Sequence, residues 1–532
     1  MVGNIDWKLL VFLILIFNVK IVIKLFAIIL IYIQRPDFKF SFHIRNSRLP
    51  LFYPLVILIG SINYLLYAKD LNSNYNLVFS LGILFWVLCI LSVHQVKLAI
   101  ERNSVIVIQK TILTFFAINA IISMIVFAGI VIETGFLNPY AYQGDFQKYF
   151  IGTGDYIKGL SFDSSTTNAS INAFAVIYFL KKGNVIWCLV CMFILILAGS
   201  NTSNILLITT FLFLFLFNSS RIDKSLMIIC TMLLVIFLVK ISPQNNLYVK
   251  GMLENMFKKK PPESAATIKV LPIRDRPDSL LNIDEYKQKV ALLYLDSLDK
   301  VLINRKRLFN GYHIPDSLLT NTGKPLIPIS NIHTAPFQHK WDTTALQKRL
   351  ISGIRSGQLY KIEPDTLQGT SRWPGKILAI TQTLHFFHQH PLKIFTGTGI
   401  GNFSSKLAFR VTSLGIMGTY LNNYHYINKN FADNHLALYL YYFTKPDSVH
   451  SLINSPNSVY DQLFSEYGLF GFTGLIILYL GFFAKDYKKL TYGIPLIILL
   501  TGIFFTEYWF EQLSVIILFE LFIFLNLKER IL

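Results

Sequence analysis

Two carboxylates and an amide stand at the start of a predicted helix late in the chain. Asn457 follows Pro456, which is tolerated near a helix start, and either Asn457 or Ser458 can cap the helix. The helix is therefore predicted to begin near Ser458, with Asp461 and Glu466 in its first turns. A carboxylate there can accept a proton from a hydroxyl group, and the helix dipole favours its charge. Capping of the helix or pairing with a cation is the alternative role.

A glycine-rich turn precedes that helix in the chain. Its three glycines alternate with other residues, at Gly397, Gly399 and Gly401. Backbone N–H groups of such a turn can bind an anion, and two basic residues, Lys406 and Arg410, follow one helical turn apart. A dinucleotide site needs G-x-G-x-x-G inside a βαβ unit, so we predict no nucleotide binding here. A purely structural turn is the alternative.

Histidines supply further candidate chemistry. Three of them cluster at His385, His388 and His390, but no carboxylate lies nearby in sequence, and Pro391 ends the predicted helix directly after them. This pattern offers too few ligands for a metal ion, so we predict no metal site and no cofactor. His435, in the sequence Asp-Asn-His, remains a candidate base.

The composition places these residues in a membrane protein. Hydrophobic residues make up 53% of the 532 residues and aromatic residues 15%, and apolar runs repeatedly reach about 20 residues, enough for a membrane-spanning helix. The net charge of +19 is spread over loops, which favours anionic lipid or phosphate partners over nucleic acid. The sequence therefore predicts an all-α integral membrane protein.

The apolar runs predict about eleven membrane-spanning helices, within a range of roughly ten to twelve. They lie near 7–33, 49–67, 77–96, 111–132, 171–180, 185–198, 205–217, 227–239, 466–483, 492–505 and 513–525. Lysines and arginines accumulate in alternate loops, which the positive-inside rule places in the cytoplasm. We expect an N-terminal bundle (1–241), an extracytoplasmic, mainly helical loop domain (242–457) and C-terminal helices (458–532) that end in the cytoplasm.

The first apolar run carries two lysines on one helix face, Lys20 and Lys24. Burial of a lysine in hydrocarbon is costly, so we interpret this run as a tilted or interfacial helix whose lysines reach the membrane surface. Lysines that point into the helix bundle are the alternative.

The loop domain is too long for a simple connection, so we expect it to be functional. Apolar residues at helical spacing predict an amphipathic helix over 284–308. The same criterion predicts a second helix from Arg372 through His390, which Pro391 ends.

Arg372, the helix after it, His390-Pro391-Leu392 and the glycine-rich turn together resemble the signature of the O-antigen ligase and polymerase superfamily. The predicted topology, many membrane helices with one large loop late in the chain, is similar as well. The resemblance implies transfer of a glycan from undecaprenyl pyrophosphate to a hydroxyl acceptor, without metal or nucleotide, at the periplasmic face of the bacterial cytoplasmic membrane.

The chain departs from that family's ligases at two positions. The ligases carry a histidine, then Asn, Ser or Gln, nine residues and G-x-x-G. Here Asn457 and Ser458 precede nine residues and Gly468-Leu469-Phe470-Gly471, so Asn457 stands at the histidine position. A Ser-Arg pair that opens a membrane helix in the family is matched by Ser200-Asn201, without the arginine. Both departures argue against a ligase that works through that histidine.

The resemblance also implies roles for residues. A leaving pyrophosphate accumulates negative charge, which arginine stabilises through two-pronged contacts. Candidates for this contact are Arg372 first, then Arg410 and Lys406, with the glycine-rich turn beside them. Candidates for the base, or for orientation of the acceptor hydroxyl, are Glu466, Asp461, Asn457 and His435.

We therefore expect an inverting membrane glycosyltransferase that polymerises undecaprenyl-pyrophosphate-linked repeat units into a surface polysaccharide such as O-antigen, capsule or exopolysaccharide. Its partners are expected to be the lipid-linked donor, a glycan or lipid acceptor, membrane lipids, a chain-length regulator and a flippase. The alternatives are a ligase that transfers the glycan to lipid A-core or another acceptor, a transporter or flippase of lipid-linked glycan, and a non-catalytic scaffold.

Overall fold

The computed structural model describes residues 5–44, 46–67, 74–141, 153–162, 164–217, 219–242, 374–412, 420, 426–436, 438–439, 442 and 455–529. Every regular element within these ranges is a helix. Among the helices in these described ranges, four are long and apolar enough to cross a membrane, namely Tyr75–Arg102, Val105–Thr134, Arg221–Ile241 and Val459–Ala484. The fold is that of a helical membrane protein, while the count of eleven spans and the loop domain stay predictions.

The helices are numbered in chain order. The first nine are α1 (Trp7–Ile16), α2 (Ile21–Gln34), α3 (Phe52–Tyr67), α4 (Tyr75–Arg102), α5 (Val105–Thr134), α6 (Ser165–Lys181), α7 (Val185–Leu197), α8 (Asn201–Phe217) and α9 (Arg221–Ile241). The later ones are α10 (Gly375–Gln389), α11 (Lys393–Thr396), α12 (Lys406–Arg410), α13 (Lys429–Phe431), α14 (Val459–Ala484), α15 (Gly493–Ile503), α16 (Trp509–Gln512) and α17 (Ser514–Glu529). Segments of π-helix end α9, follow α13 and lie inside α14, at Phe237–Ile241, Ala432–Leu436 and Leu475–Leu480.

The chain forms two compact units. The first, named the membrane unit, contains Met1–Gly251, His390–Gly401 and Asn457–Leu532. The second, named the loop unit, contains Met252–Gln389 and Asn402–Pro456. The glycine-rich turn therefore belongs with the apolar helices of both chain ends. Within the membrane unit α17 lies in the core, since every residue from its start through Asn526 is buried.

The first apolar run is a helical hairpin, so the prediction of one continuous span there is wrong. The chain turns after α1, where the side chain of Asn18 accepts a hydrogen bond of 3.0 Å from Lys20 N. The helices α1 and α2 pack together, and Asp6, before α1, pairs with Arg35, after α2. Ten residues of α1 rise only about 15 Å, half of a hydrocarbon layer of about 30 Å. The hairpin therefore enters and leaves at the same end of the unit.

That end is rich in ion pairs and is named the ion-paired end. The Asn103 side chain donates to Asp6 Oδ2 at 2.8 Å, and Lys528 Nζ donates to the Asn103 carbonyl at 2.5 Å. Further pairs at this end are Arg102–Asp37, Lys181–Asp223 and Lys182–Glu529. The start of α1 and the end of α17 thus lie together, among basic residues of loops that the sequence places in the cytoplasm.

Candidate functional site

The start of α14 meets a break between two helices. Between α15 and α17 lie residues 504–513, named the interruption, whose only regular element is the single turn α16. The backbone N–H of Val459 donates to the carbonyl oxygen of Phe504 at 2.9 Å, and Ser458 Oγ donates to the same oxygen at 3.4 Å. The predicted start of the helix near Ser458 is confirmed. Its first N–H group is satisfied by this carbonyl, and no side-chain cap forms at Ser458.

Two side-chain contacts between the segments and one within the interruption define a group of residues named the polar cluster. Asn457 Nδ2 donates to Glu507 Oε1 at 2.9 Å. Gln462 Nε2 donates to Glu511 Oε1 at 2.5 Å. Within the interruption, Gln512 Nε2 donates to Glu507 Oε2 at 3.1 Å. The polar cluster therefore contains two carboxylates held by three amides.

A lysine of the N-terminal hairpin reaches the same segment. Lys24 is 3% exposed, and its ammonium donates to the backbone carbonyl of Gln512. Lys20 is exposed. The structure therefore supports burial in the bundle for Lys24 and the surface position for Lys20.

The polar cluster lies far from the ion-paired end. Helix α17 has 16 residues, so its first residue stands about 24 Å from that end along the helix axis. In a hydrocarbon layer of about 30 Å this distance places the cluster toward the opposite surface. Carboxylates packed between membrane-spanning helices are rare and mark functional sites, which makes the cluster the leading candidate site.

The glycine-rich turn docks on the second turn of α14. Gly399 N donates to the Glu466 carbonyl at 2.9 Å, and Gly401 N donates to Glu466 Oε2 at 3.0 Å. Thr398 N donates to the Ser465 carbonyl at 3.0 Å. An anion can take these N–H groups only if this contact opens. The geometry therefore favours the structural role for the turn, and anion binding by it stays a prediction.

Two glycines make this contact possible. Gly468 interrupts α14 with a φ of 65°, and a Cβ on it would lie 2.4 Å from the carbonyl oxygen of Phe395. Gly397 has a φ of 81°, and a Cβ there would lie 2.4 Å from the Glu466 backbone. Gly468, the first glycine of the G-x-x-G motif, thus allows the backbone of α14 to approach the backbone of the segment that leads into the glycine-rich turn.

Glu466 and Asp461, the predicted carboxylates, are both buried at the start of α14. Glu466 is 1% exposed, and one of its carboxylate oxygens is engaged by Gly401 N. Asp461 is 2% exposed and immediately precedes Gln462 of the polar cluster. If Glu466 were the base, its carboxylate would have to accept the proton while it also accepts the hydrogen bond that holds the turn.

His435 belongs to the loop unit, where it lies in an apolar environment. It is fully buried, with its Nε2 3.3 Å from Thr383 Oγ1 of α10 and its ring centroid 4.6 Å from that of Phe403. The structure therefore accounts for His435 as a core residue of the loop unit, and its role as a base stays a prediction.

Two of the predicted cations, Lys406 and Arg410, belong to the loop unit. Arg410 is half-buried and stands 5.1 Å above the ring of Tyr420, and Lys406 is half-buried on the same short helix. Arg372 and the predicted amphipathic helix 284–308 lie outside the described residues. The second predicted helix of the loop domain is confirmed as α10.

The three histidines that cluster in the sequence belong to different units. His385 and His388 are on α10, where His385 Nε2 lies 3.0 Å from Gln389 Nε2. His390 is in the membrane unit. The pKa of His390 is lowered because partial burial disfavours the imidazolium and Lys393 repels it.

Sequence reasoning missed the carboxylates of the interruption. Glu507 and Glu511 lie between two predicted spans, in a stretch whose aromatic residues make it resemble an ordinary apolar connection. The available signal was an acidic residue at i and i+4 followed by Gln512, in a part of the chain where charged residues are otherwise rare.

Comparison of the chain with protein-family models, with curated proteins and with solved structures found no match. The resemblance to the O-antigen ligase and polymerase superfamily therefore rests on the quoted motifs.

Proposed function

We propose that the chain is a membrane glycosyltransferase that polymerises undecaprenyl-pyrophosphate-linked glycan repeat units. The observation that carries the proposal is the polar cluster, two carboxylates held by amides far from the ion-paired end of a helical membrane unit. A donor anchored in lipid and a sugar hydroxyl can meet only near the membrane surface. Their reaction therefore needs a proton acceptor near the membrane surface.

In the proposed reaction the acceptor hydroxyl attacks the anomeric carbon of the lipid-linked glycan. The bond from that carbon to the pyrophosphate oxygen breaks, the configuration inverts, and a carboxylate of the site takes the hydroxyl proton. Arg372, with Lys406 and Arg410, is the sequence-based candidate for the charge of the leaving pyrophosphate. With basic loops in the cytoplasm, the polar cluster faces the periplasm.

The size distribution of surface glycan in a gene-deletion strain tests this function. Loss of a polymerase leaves single repeat units on the final acceptor, which is the expected result. Long chains that stay on undecaprenyl pyrophosphate would indicate the ligase instead. Unchanged surface glycan would contradict both glycosyltransferase assignments.

A further inference from the structure

The contacts of one carboxylate identify the proton acceptor of the proposed reaction. We propose that Glu507 is the catalytic base, that Asn457 and Gln512 position it, and that the side-chain oxygens of Gln462 and Gln512 bind hydroxyl groups of the acceptor sugar. This inference rests on the proposed function. It adds the identity of the base and assigns the polar cluster to the acceptor, while the pyrophosphate binds elsewhere.

Glu507 is held by neutral donors. Oε1 accepts from Asn457 Nδ2, and Oε2 accepts from Gln512 Nε2 and, at 3.3 Å, from the backbone N–H of Tyr508. A carboxylate has about four lone-pair positions, so one remains for a substrate hydroxyl. No lysine or arginine of the described residues pairs with Glu507. Its orientation is therefore fixed while its negative charge is not neutralised by a cation.

Glu507 is also the accessible carboxylate of the region. It is half-buried, whereas Asp461, Glu466 and Glu511 are all nearly inaccessible to solvent. Glu466 holds the glycine-rich turn, and Glu511 accepts from Gln462. Among these four groups, Glu507 is the most exposed, so a hydroxyl from outside the protein reaches its carboxylate first.

Two buried amide oxygens beside these carboxylates point to a ligand. The Oε1 atoms of Gln462 and Gln512 have no hydrogen-bond partner among the described residues, although the residues are only 3% and 6% exposed. An unpaired buried acceptor is costly. The Gln512 oxygen shares its amide with the nitrogen that contacts Glu507, so it lies next to that carboxylate.

The ligand that fits is rich in donors. The oxygens of Gln462 and Gln512 that have no partner among the described residues are acceptors, as is the remaining lone pair of Glu507, so the polar cluster favours a molecule with several hydroxyl groups. A pyrophosphate supplies only acceptors and negative charge, which Glu507 and Glu511 repel. The chemistry of the site therefore selects the acceptor sugar.

In the catalytic step the acceptor oxygen forms its bond to the anomeric carbon while its proton passes to the Glu507 carboxylate. The electron pair of the breaking glycosyl bond leaves with the pyrophosphate. The protonated Glu507 then returns its proton to water, so the site is restored after each transfer.

Elongation of lipid-linked repeat units by the purified full-length protein in lipid nanodiscs tests this assignment. We expect Glu507→Gln to lower the elongation rate by about 10²–10⁴-fold, the usual contribution of a general base. Glu507→Ala should lose as much and recover in part when formate, a small external base, is added. Glu133→Gln, at the exposed end of α5, serves as the matched control.

The outcomes separate the two proposals. Wild-type protein that does not elongate the glycan refutes the proposed function. Wild-type elongation together with a Glu507→Gln rate within a few-fold of wild type refutes Glu507 as the base and leaves the polymerase in place. An inactive but folded Glu507→Ala protein that formate does not restore also refutes the base role, because a merely positioning residue gives that result.

Discussion

The side-chain amide of Asn457 donates a hydrogen bond of 2.9 Å to Oε1 of Glu507. This contact joins the start of α14 to the interruption between α15 and α17. Asn457 stands where ligases of the resembled family carry a histidine, and an amide cannot accept a proton as a base does. In the proposed mechanism Glu507, held by Asn457, accepts the proton that an amide cannot accept.

Glu466 is predicted to hold the glycine-rich turn. In Glu466→Gln the side-chain oxygen can still accept from Gly401 N, so elongation should stay within a few-fold of wild type. Glu466→Ala removes the acceptor from a buried N–H group and should lower the unfolding free energy by about 1–3 kcal/mol. Thermal unfolding in detergent and the elongation rate measure the two effects. A nearly inactive Glu466→Gln protein of normal stability would return the base role to Glu466.

Gly468 is predicted to tolerate no side chain. Gly468→Ala combines a left-handed backbone with a clash against the Phe395 carbonyl. Gly135 has a φ of 69° with open space around it, so Gly135→Ala measures the backbone strain alone, about 1–2 kcal/mol. Gly129→Ala, inside α5 and with neither feature, should be neutral to slightly stabilising, because alanine is the better helix former. Thermal unfolding should rank Gly468→Ala as the least stable, and equal losses for Gly468→Ala and Gly135→Ala would contradict the close contact.

Substitutions of Lys24 and Lys20 are predicted to differ in their effect on stability, although the sequence places both lysines on one face of a predicted helix. Lys24→Met leaves the buried Gln512 carbonyl without its donor and should cost about 1–3 kcal/mol. Lys20→Met, at an exposed position, should change stability by less than about 0.5 kcal/mol. Tm values of the two variants in the same detergent test this. Equal Tm values would show that the buried contact of Lys24 does not contribute.

Both chain ends are predicted to lie on the same side of the membrane. Hydrogen bonds connect Asp6 through Asn103 to Lys528 at the ion-paired end. Reporter fusions at Met1 and Leu532 should both report the cytoplasm, and an insertion after Gly323 should report the periplasm. Opposite sides for the two ends would refute the N-terminal hairpin, and a cytoplasmic Gly323 would refute the site's proposed orientation.

Much of the helical framework follows from the sequence, because apolar length and start signals are local. The start of α14 near Ser458 and the end of α10 before Pro391 are examples. The sequence did not reveal the turn at Asn18 between α1 and α2, because the apolar run around it is long enough for one span. Hydropathy averaged over a long window does not detect a turn of so few residues. The turn contains a hydrogen bond from Lys20 N to the side chain of Asn18.

The candidate site was less predictable, because its contacts join distant parts of the chain. The sequence singles out Asn457 and Glu466. Nothing in the neighbouring sequence shows that Asn457 contacts Glu507, or that the carboxylate of Glu466 accepts a hydrogen bond from Gly401 N. The same holds for Lys24, whose buried ammonium donates to the Gln512 carbonyl in the interruption. The neighbouring sequence of Lys24 does not show this contact.

The most direct test of the central claim is a reaction of purified protein in nanodiscs with undecaprenyl-pyrophosphate-linked repeat units as the only glycan. Glycan length is followed by gel, and released undecaprenyl pyrophosphate is quantified in the same samples. We expect a ladder of lengthening glycans and one released undecaprenyl pyrophosphate for each new glycosidic bond. Repeat units that stay single, with no undecaprenyl pyrophosphate released, would contradict it.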